Sequence, residues 1–347
     1  MAGPVAGGDG GQLRRFRRLA DLTSLVTLLL IVVGGIVRVS SSGLGCGPGG
    51  SGTEGWPLCG GSVIPLVGNE NRLIEFSHRA LATVVVVLIA LLCWRAYHDL
   101  RGRNGWAFRG SLIAGVLVLA QAGLGGLTVE HSLAEELVAA HLGTAMVLLG
   151  LLLWLGFKAR SEEGAASGER MTGPVRGLKP FATVAAVLLL SAIVAGGYMA
   201  GTEEEGVNDV GPNIAGAHLA CGKQFPECGS GKFLPFGNNR LTDIHLTHRA
   251  LVYLATIAII VLLGVAFARG SRDRLLALAA LLLLCQLLLG ALNVWLGEHA
   301  PLIVAHLATA TLLWATVISI AIRLAWLQSP AGGRERAPRA EVSAATA

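Results

Sequence analysis

Four of the nine histidines in this 347-residue chain recur in matched settings. His78 lies in "SHRALA" at 77–82 and His248 in "THRALV" at 247–252, while His141 lies in "VAAHLGTA" at 138–145 and His306 in "IVAHLATA" at 303–310. Each borders or enters a long apolar run, where an imidazole is costly unless it faces the interior of a bundle and finds a partner there. Two imidazoles on facing helices can grip one metal centre between them. As neutral donors they suit the axial positions of haem iron, and they are too few for a zinc site, which takes three or four protein ligands. The plainer reading is a hydrogen-bonded histidine at a helix end; recurrence as two pairs in register favours ligation. His98, His131, His218 and His299 carry no such signal.

Glu75 precedes His78 by three residues and His245 precedes His248 by three, so each shares a helix face with its histidine. A carboxylate beside a macrocycle can take up protons, and the second copy has an imidazole in its place. An ion pair between Glu75 and Arg79, its i+4 neighbour, is the competing role. Arg79 and Arg249 directly follow repeat histidines. Their planar forks match carboxylates such as haem propionates, or they snorkel to lipid head groups. Cys93 and Cys285 sit in apolar runs and read as small core residues. Cys46 and Cys59 share one polar loop and Cys221 and Cys228 another, on a side where disulfides would persist. Closing a loop of about 15 residues stabilises a fold by roughly 3 kcal/mol. Stapling the loop is the reading for Cys221 and Cys228. For Cys46 and Cys59, stapling and thiol exchange with a partner both stand.

These residues need helices to hold them. The chain is 53% hydrophobic and only 14% charged, against about 25% charged in soluble domains. Eight runs reach the ~20 apolar residues that a bilayer demands: 19–39, 76–97, 110–130, 136–157, 180–200, 247–268, 275–296 and 301–324. Backbone groups in lipid must bond internally, and the runs lack the alternation of barrel strands, so the fold class is all-α integral membrane protein. "IVVGGIV" at 31–37 returns as "IVAGGYM" at 193–199, and Gln121 of "QAGLGGL" returns as Gln286 of "QLLLGAL". With the histidine motifs, this makes an internal duplication. Two parallel-repeat four-helix bundles related by a pseudo-two-fold axis along the membrane normal follow, since each half has an even number of spans. The glycine pairs Gly34–Gly35, Gly125–Gly126 and Gly196–Gly197 permit close helix approach or make room for a planar ring.

The expected order is a cytoplasmic segment at 1–18, a first half at 19–158, a cytoplasmic linker at 159–178, a second half at 179–326 and a cytoplasmic tail at 327–347. The termini, 1–12 and 329–347, read as disordered from their Gly, Ala, Pro and charge content. With both termini cytoplasmic, 20 of the 27 Lys and Arg lie on the inner side, as the positive-inside rule requires. The net charge of +5 therefore needs no nucleic-acid partner. Most acids, among them Glu203, Glu204 and Glu205, fall on the outer side with the four loop cysteines. The first run follows "RRFRR" but has a counterpart in the second half, so it is expected to remain as a helix rather than a cleaved leader.

Over roughly residues 19–326 this pattern of eight spans, "EFSHR", "HLGTA", "THRAL", "AHLATA" and two loop cysteine pairs resembles the haem A synthase family. The resemblance implies an oxidoreductase of the cell membrane that converts a ring methyl group of haem O to a formyl group, giving haem A for terminal oxidases. It implies that His248 and His306 ligate a resident haem b, that His78 and His141 line the substrate haem site, and that Glu75 is catalytic. Haem O synthase and the terminal oxidase are the partners it implies; the electron acceptor stays open. The 13-residue spacing of Cys46 and Cys59 is wider than the family pattern, which leaves a redox role for that pair less secure. If both His78 and His141 hold substrate iron, oxidation needs either release of one or electron removal followed by water attack. The rival class is a non-catalytic bis-histidine b-type cytochrome, which accounts for the histidines but not for the lone acid. A haem transporter is a weaker third, because the ligands lie toward one side and no polar path crosses mid-depth.

Overall fold

The structure, a computed structural model, describes residues 9–65, 69–102, 104–163, 177–202, 216–228, 231–297 and 299–327. Among the described residues eight α-helices run in order: α1 Asp9–Val39, α2 Glu70–Arg95, α3 Gly105–Glu130, α4 Glu135–Glu162, α5 Lys179–Gly201, α6 Arg240–Ala268, α7 Arg274–Leu296 and α8 Ala300–Leu327. A π turn, Ala96–Leu100, continues α2. All eight are long and apolar enough to cross a bilayer. No strand forms among the described residues beyond an isolated bridge between Cys59 and Ser62.

Each expected span falls inside one helix, and the differences lie at the ends, where polar residues extend helices beyond their apolar runs. The largest is in α1, which begins ten residues ahead of the apolar run, so residues 9–12 are helical rather than disordered. Packing explains it: Leu13 and Phe16 are buried, Phe16 sets its edge against Trp106 at 6.1 Å, and Arg17 donates to Glu163 at 3.1 Å. The N-terminal ends of α2 and α6 start at Asn69 and Asn239, whose side chains accept from the Arg72 and Thr242 amides at 3.0 and 2.8 Å. Both are N-caps of the preferred type. Residues 1–8, most of the linker, Glu203, Glu204, Glu205 and the tail from 328 lie outside the described residues.

Within the first half α1 and α3 each pack on both α2 and α4, so α2 and α4 stand at opposite corners of the bundle. In the second half α5 and α7 separate α6 from α8 in the same way. The halves meet where α1 and α4 pack against α5 and α8. The Trp314 indole donates to the Met146 carbonyl across this seam at 2.9 Å, and Glu135 of α4 pairs with Arg240 of α6. Large apolar side chains such as Leu25, Val87, Leu119 and Ile260 cover the outward faces, as a lipid-facing surface requires.

The two large buried apolar cores lie toward one end, and a small cluster of Cys221, Cys228 and Leu246 lies at the other. One gathers Phe16, Ile89, Leu92, Leu152 and Leu155; the other gathers Leu178, Ala182, Ile259, Leu262, Leu276 and Ile320 and reaches across the seam to Met146 and Leu149. The four repeat histidines lie beyond these cores, toward the disulfide loops. Truncating Trp314 to Ala should remove both its packing and its hydrogen bond, at a cost of about 3–5 kcal/mol, read as a fall in the thermal unfolding midpoint of the detergent-solubilised protein.

Candidate functional site

His78 and His141 reside on the diagonal helices α2 and α4, and His248 and His306 on the diagonal helices α6 and α8. His78 and His141 are electrostatic neighbours, as are His306 and His248. The two pairs read from the sequence are thus the two pairs brought together. Among the described residues no cluster of three or more His, Cys, Asp or Glu is arranged to hold a metal ion, so a two-imidazole site is the chemistry on offer.

All four rings are half-buried, and their nitrogens are not equivalent. The His248 Nδ1–H donates to the Ala192 carbonyl at 2.9 Å. A carbonyl can only accept, so the proton is on Nδ1 and the lone pair on Nε2. In His306, Nε2 accepts from the Gln286 amide at 3.1 Å, which again leaves the proton on Nδ1. The Nδ1 atoms of His78, His141 and His306 are enclosed and without a hydrogen-bond partner. The donor set therefore fits haem iron: in the second half Nε2 is the basic nitrogen, the form that ligates.

Glu75 is buried and holds two donors. It accepts from the Cys46 backbone N–H at 2.6 Å and pairs with Arg79. The ion pair that competed with a proton-accepting role in the sequence is thus present. Arg79 turns its Nη1 to the carbonyls of Gly55 and Leu58, at 2.6 and 2.8 Å. The second half repeats this plan with opposite polarity. His245 donates from Nδ1 to the Ala217 carbonyl at 2.8 Å and accepts at Nε2 from Arg249 at 2.8 Å. Arg249 then donates to the Glu227 and Gln224 carbonyls, both at 2.9 Å.

Each arginine therefore ties a helix to a disulfide loop. Cys46–Cys59 and Cys221–Cys228 are both formed, and all four half-cystines are buried. The Gly60 amide donates to the Cys46 carbonyl at 2.7 Å, and the Cys228 amide to that of Lys232 at 2.9 Å. Burial of this kind suits the stapling role of both bridges.

The sequence reading left four contributing residues without these roles. Asn69 and Asn239 cap α2 and α6 at the 170-residue offset that also relates His78 to His248. His245 serves as a link between loop and arginine, and Gln286 touches a histidine ring. The repeat offset that had already matched Gln286 to Gln121 was the signal that would have flagged the caps.

Replacing Arg249 with Gln should strand the Glu227 and Gln224 carbonyls. Charged hydrogen bonds contribute about 1.5–3 kcal/mol each, so loss of even one should speed reduction of Cys221–Cys228 by a membrane-impermeant phosphine about 10-fold. Alkylation and mass spectrometry would follow that rate.

The sequence profile of the cytochrome oxidase assembly protein (COX15-CtaA) family matches residues 67–318. A protein named Heme A synthase from Shouchella clausii is 28% identical over 251 residues, covering 71% of this chain and 74% of its own length. One of the same name from Halalkalibacterium halodurans is 26% identical and covers 90% of this chain and 97% of its own length. A third, from Bacillus pumilus, is 27% identical over 80% of this chain and 85% of itself. With that profile spanning both histidine pairs, this multi-pass membrane protein belongs to the cytochrome oxidase assembly protein family.

Proposed function

We propose that the protein is a haem A synthase, an oxidoreductase that converts a ring methyl group of haem O to a formyl group. The observation that carries this reading is the asymmetry between the halves: two equivalent histidine pairs, with a buried carboxylate three residues from His78 and an imidazole, His245, in its place beside His248. A carrier of electrons has no use for that difference. The relatives that cover most of the chain, all named Heme A synthase, point the same way.

In this reading His78 and His141 hold the substrate haem, and His248 and His306 hold a resident haem b. Bound haem b supplies one-electron redox chemistry to the second half. The Nδ1 proton of His248, fixed by Ala192, keeps Nε2 free as a ligand. With water as the oxygen donor, ring –CH3 and one H2O become ring –CHO, four protons and four electrons. The electrons go to an acceptor outside the chain. Glu75 takes up protons at the reacting carbon and passes them toward the loop, while Arg79 holds its carboxylate in place. Arg79 and Arg249, beside the two histidine pairs, would supply positive charge to the propionates. The buried bridge Cys46–Cys59 keeps the first loop closed over the site. The basic residues at the end opposite the disulfides orient both termini to the cytoplasm and the loops outward. Haem O synthase as donor and the terminal oxidase as recipient follow from the substrate and product.

Glu75→Gln tests the assignment, because the amide keeps an acceptor for the Cys46 N–H while losing the proton-accepting charge. It should retain bound haem and lower formyl production at least 100-fold, in the ~10²–10⁴ range of general-base effects, measured by chromatography of extracted pigments. Haem A made at the parental rate would remove Glu75 from the mechanism. In a second experiment His248→Ala and His306→Ala should each abolish the b-type band of the reduced-minus-oxidised spectrum. Extraction of haem b alone from the parent, after feeding with haem O, would favour a plain cytochrome.

A further inference from the structure

Every repeat histidine lies against a glycine of the preceding helix. A Cβ at Gly34 of α1 would stand 3.2 Å from the His78 Cε1, and one at Gly125 of α3 would stand 3.4 Å from that of His141. At Gly196 of α5 it would stand 3.0 Å from the His248 Cε1, and at Gly290 of α7 3.2 Å from that of His306. The ring nitrogen nearest the glycine is Nδ1 in all four, at 3.8, 4.0, 3.3 and 3.8 Å in the same order. Gly34 and Gly196 differ by 162 residues and Gly125 and Gly290 by 165, the offsets of the duplication itself.

The second half shows what the missing side chain permits. The His248 Nδ1–H reaches the carbonyl of Ala192, the residue one helical turn before Gly196. A Cβ at Gly196 would stand 3.3 Å from that same Nδ1 and crowd the ring that makes this bond. The same position relative to the other three glycines is held by Leu30, Gln121 and Gln286. The Nδ1 atoms facing them, in His78, His141 and His306, are the enclosed and unpartnered ones. In His306 the Gln286 amide already occupies the lone pair of Nε2, the direction a metal would take.

We propose that Gly34, Gly125, Gly196 and Gly290 are positioning residues: each admits an imidazole edge-on against its helix and leaves Nε2 to bind haem iron, and at Gly196 the close approach lets Nδ1–H reach the carbonyl one turn earlier. The inference rests on the haem-ligand reading above. Ligating histidines almost always donate their second ring N–H, which fixes the tautomer and raises ligand basicity. For His248 the acceptor is a helix backbone carbonyl rather than a carboxylate.

The decisive variant is Gly196→Ala, where the added methyl meets the ring most closely. With Gly264→Ala as control, since a Cβ there meets nothing within 4 Å, both are purified with haem and compared by redox titration and low-temperature EPR. Gly196→Ala should raise the midpoint potential of the second-half haem, because a less basic imidazole stabilises the ferric state less, and should shift its low-spin g values. Gly264→Ala should match the parent in both. A residue that merely aids packing would lower the unfolding temperature and haem yield while leaving the potential and g values of the retained haem unmoved. If Gly196→Ala accumulates too little folded protein, Gly290→Ala decides by the same two readouts. Parental potential and g values in a haem-loaded glycine variant, or equal shifts in the control, overturn the inference and leave the haem reading intact. Absence of any Soret band in the parent supplied with haem would instead overturn the haem reading, and the inference with it.

Discussion

A guanidinium at the end of a membrane helix must be supplied with acceptors, because a buried charge left unpaired destabilises a fold severely. Arg79 and Arg249 are under that constraint, and much of the disulfide end follows from it. Neither finds its acceptors on its own helix alone. Gly55 and Leu58 supply carbonyls to the first, and Gln224 and Glu227 supply them to the second. A loop that must deliver carbonyl oxygens to a fixed point gains from being short and closed, and each loop carries a buried disulfide. The loops are therefore held down over the histidine end of the bundle by the same residues that stand next to the histidines.

The contrast between Glu75 and His245 is matched by a contrast in what the two loops present to them. A carboxylate can only accept, and the first loop presents it with the Cys46 N–H. A neutral imidazole donates from one nitrogen and accepts at the other, and the second loop presents it with the Ala217 carbonyl. Side-chain type and loop polarity changed together between the copies. The first half thereby kept a negative charge within a turn of His78, and the second became locally neutral apart from Arg249.

Much of this was legible in the sequence, for physical reasons that differ by feature. The eight helices were plain because a bilayer sets a minimum apolar length, and the pairing of His78 with His141 and of His248 with His306 followed from recurrence at fixed offsets. The early start of α1 was not, since Leu13 and Phe16 are isolated among basic residues and only their burial against Trp106 explains a helix there. The partners of Arg79 and Arg249 were equally hidden. Backbone carbonyls leave no mark in a list of residue types, so the guanidiniums could be assigned only to head groups or propionates. Gly290 escaped for a related reason: it is not part of a glycine pair, and its role needs the position of His306 to be seen.

The two large apolar cores fill the half of each bundle remote from the disulfides. This division of labour makes the remote half a chassis and the loop-covered half a workbench. After duplication, one workbench could exchange an acid for an imidazole and alter its bridge spacing, 13 residues in one copy and 7 in the other, with the chassis undisturbed. The acid-for-imidazole exchange and the change of bridge spacing both lie at the loop-covered end.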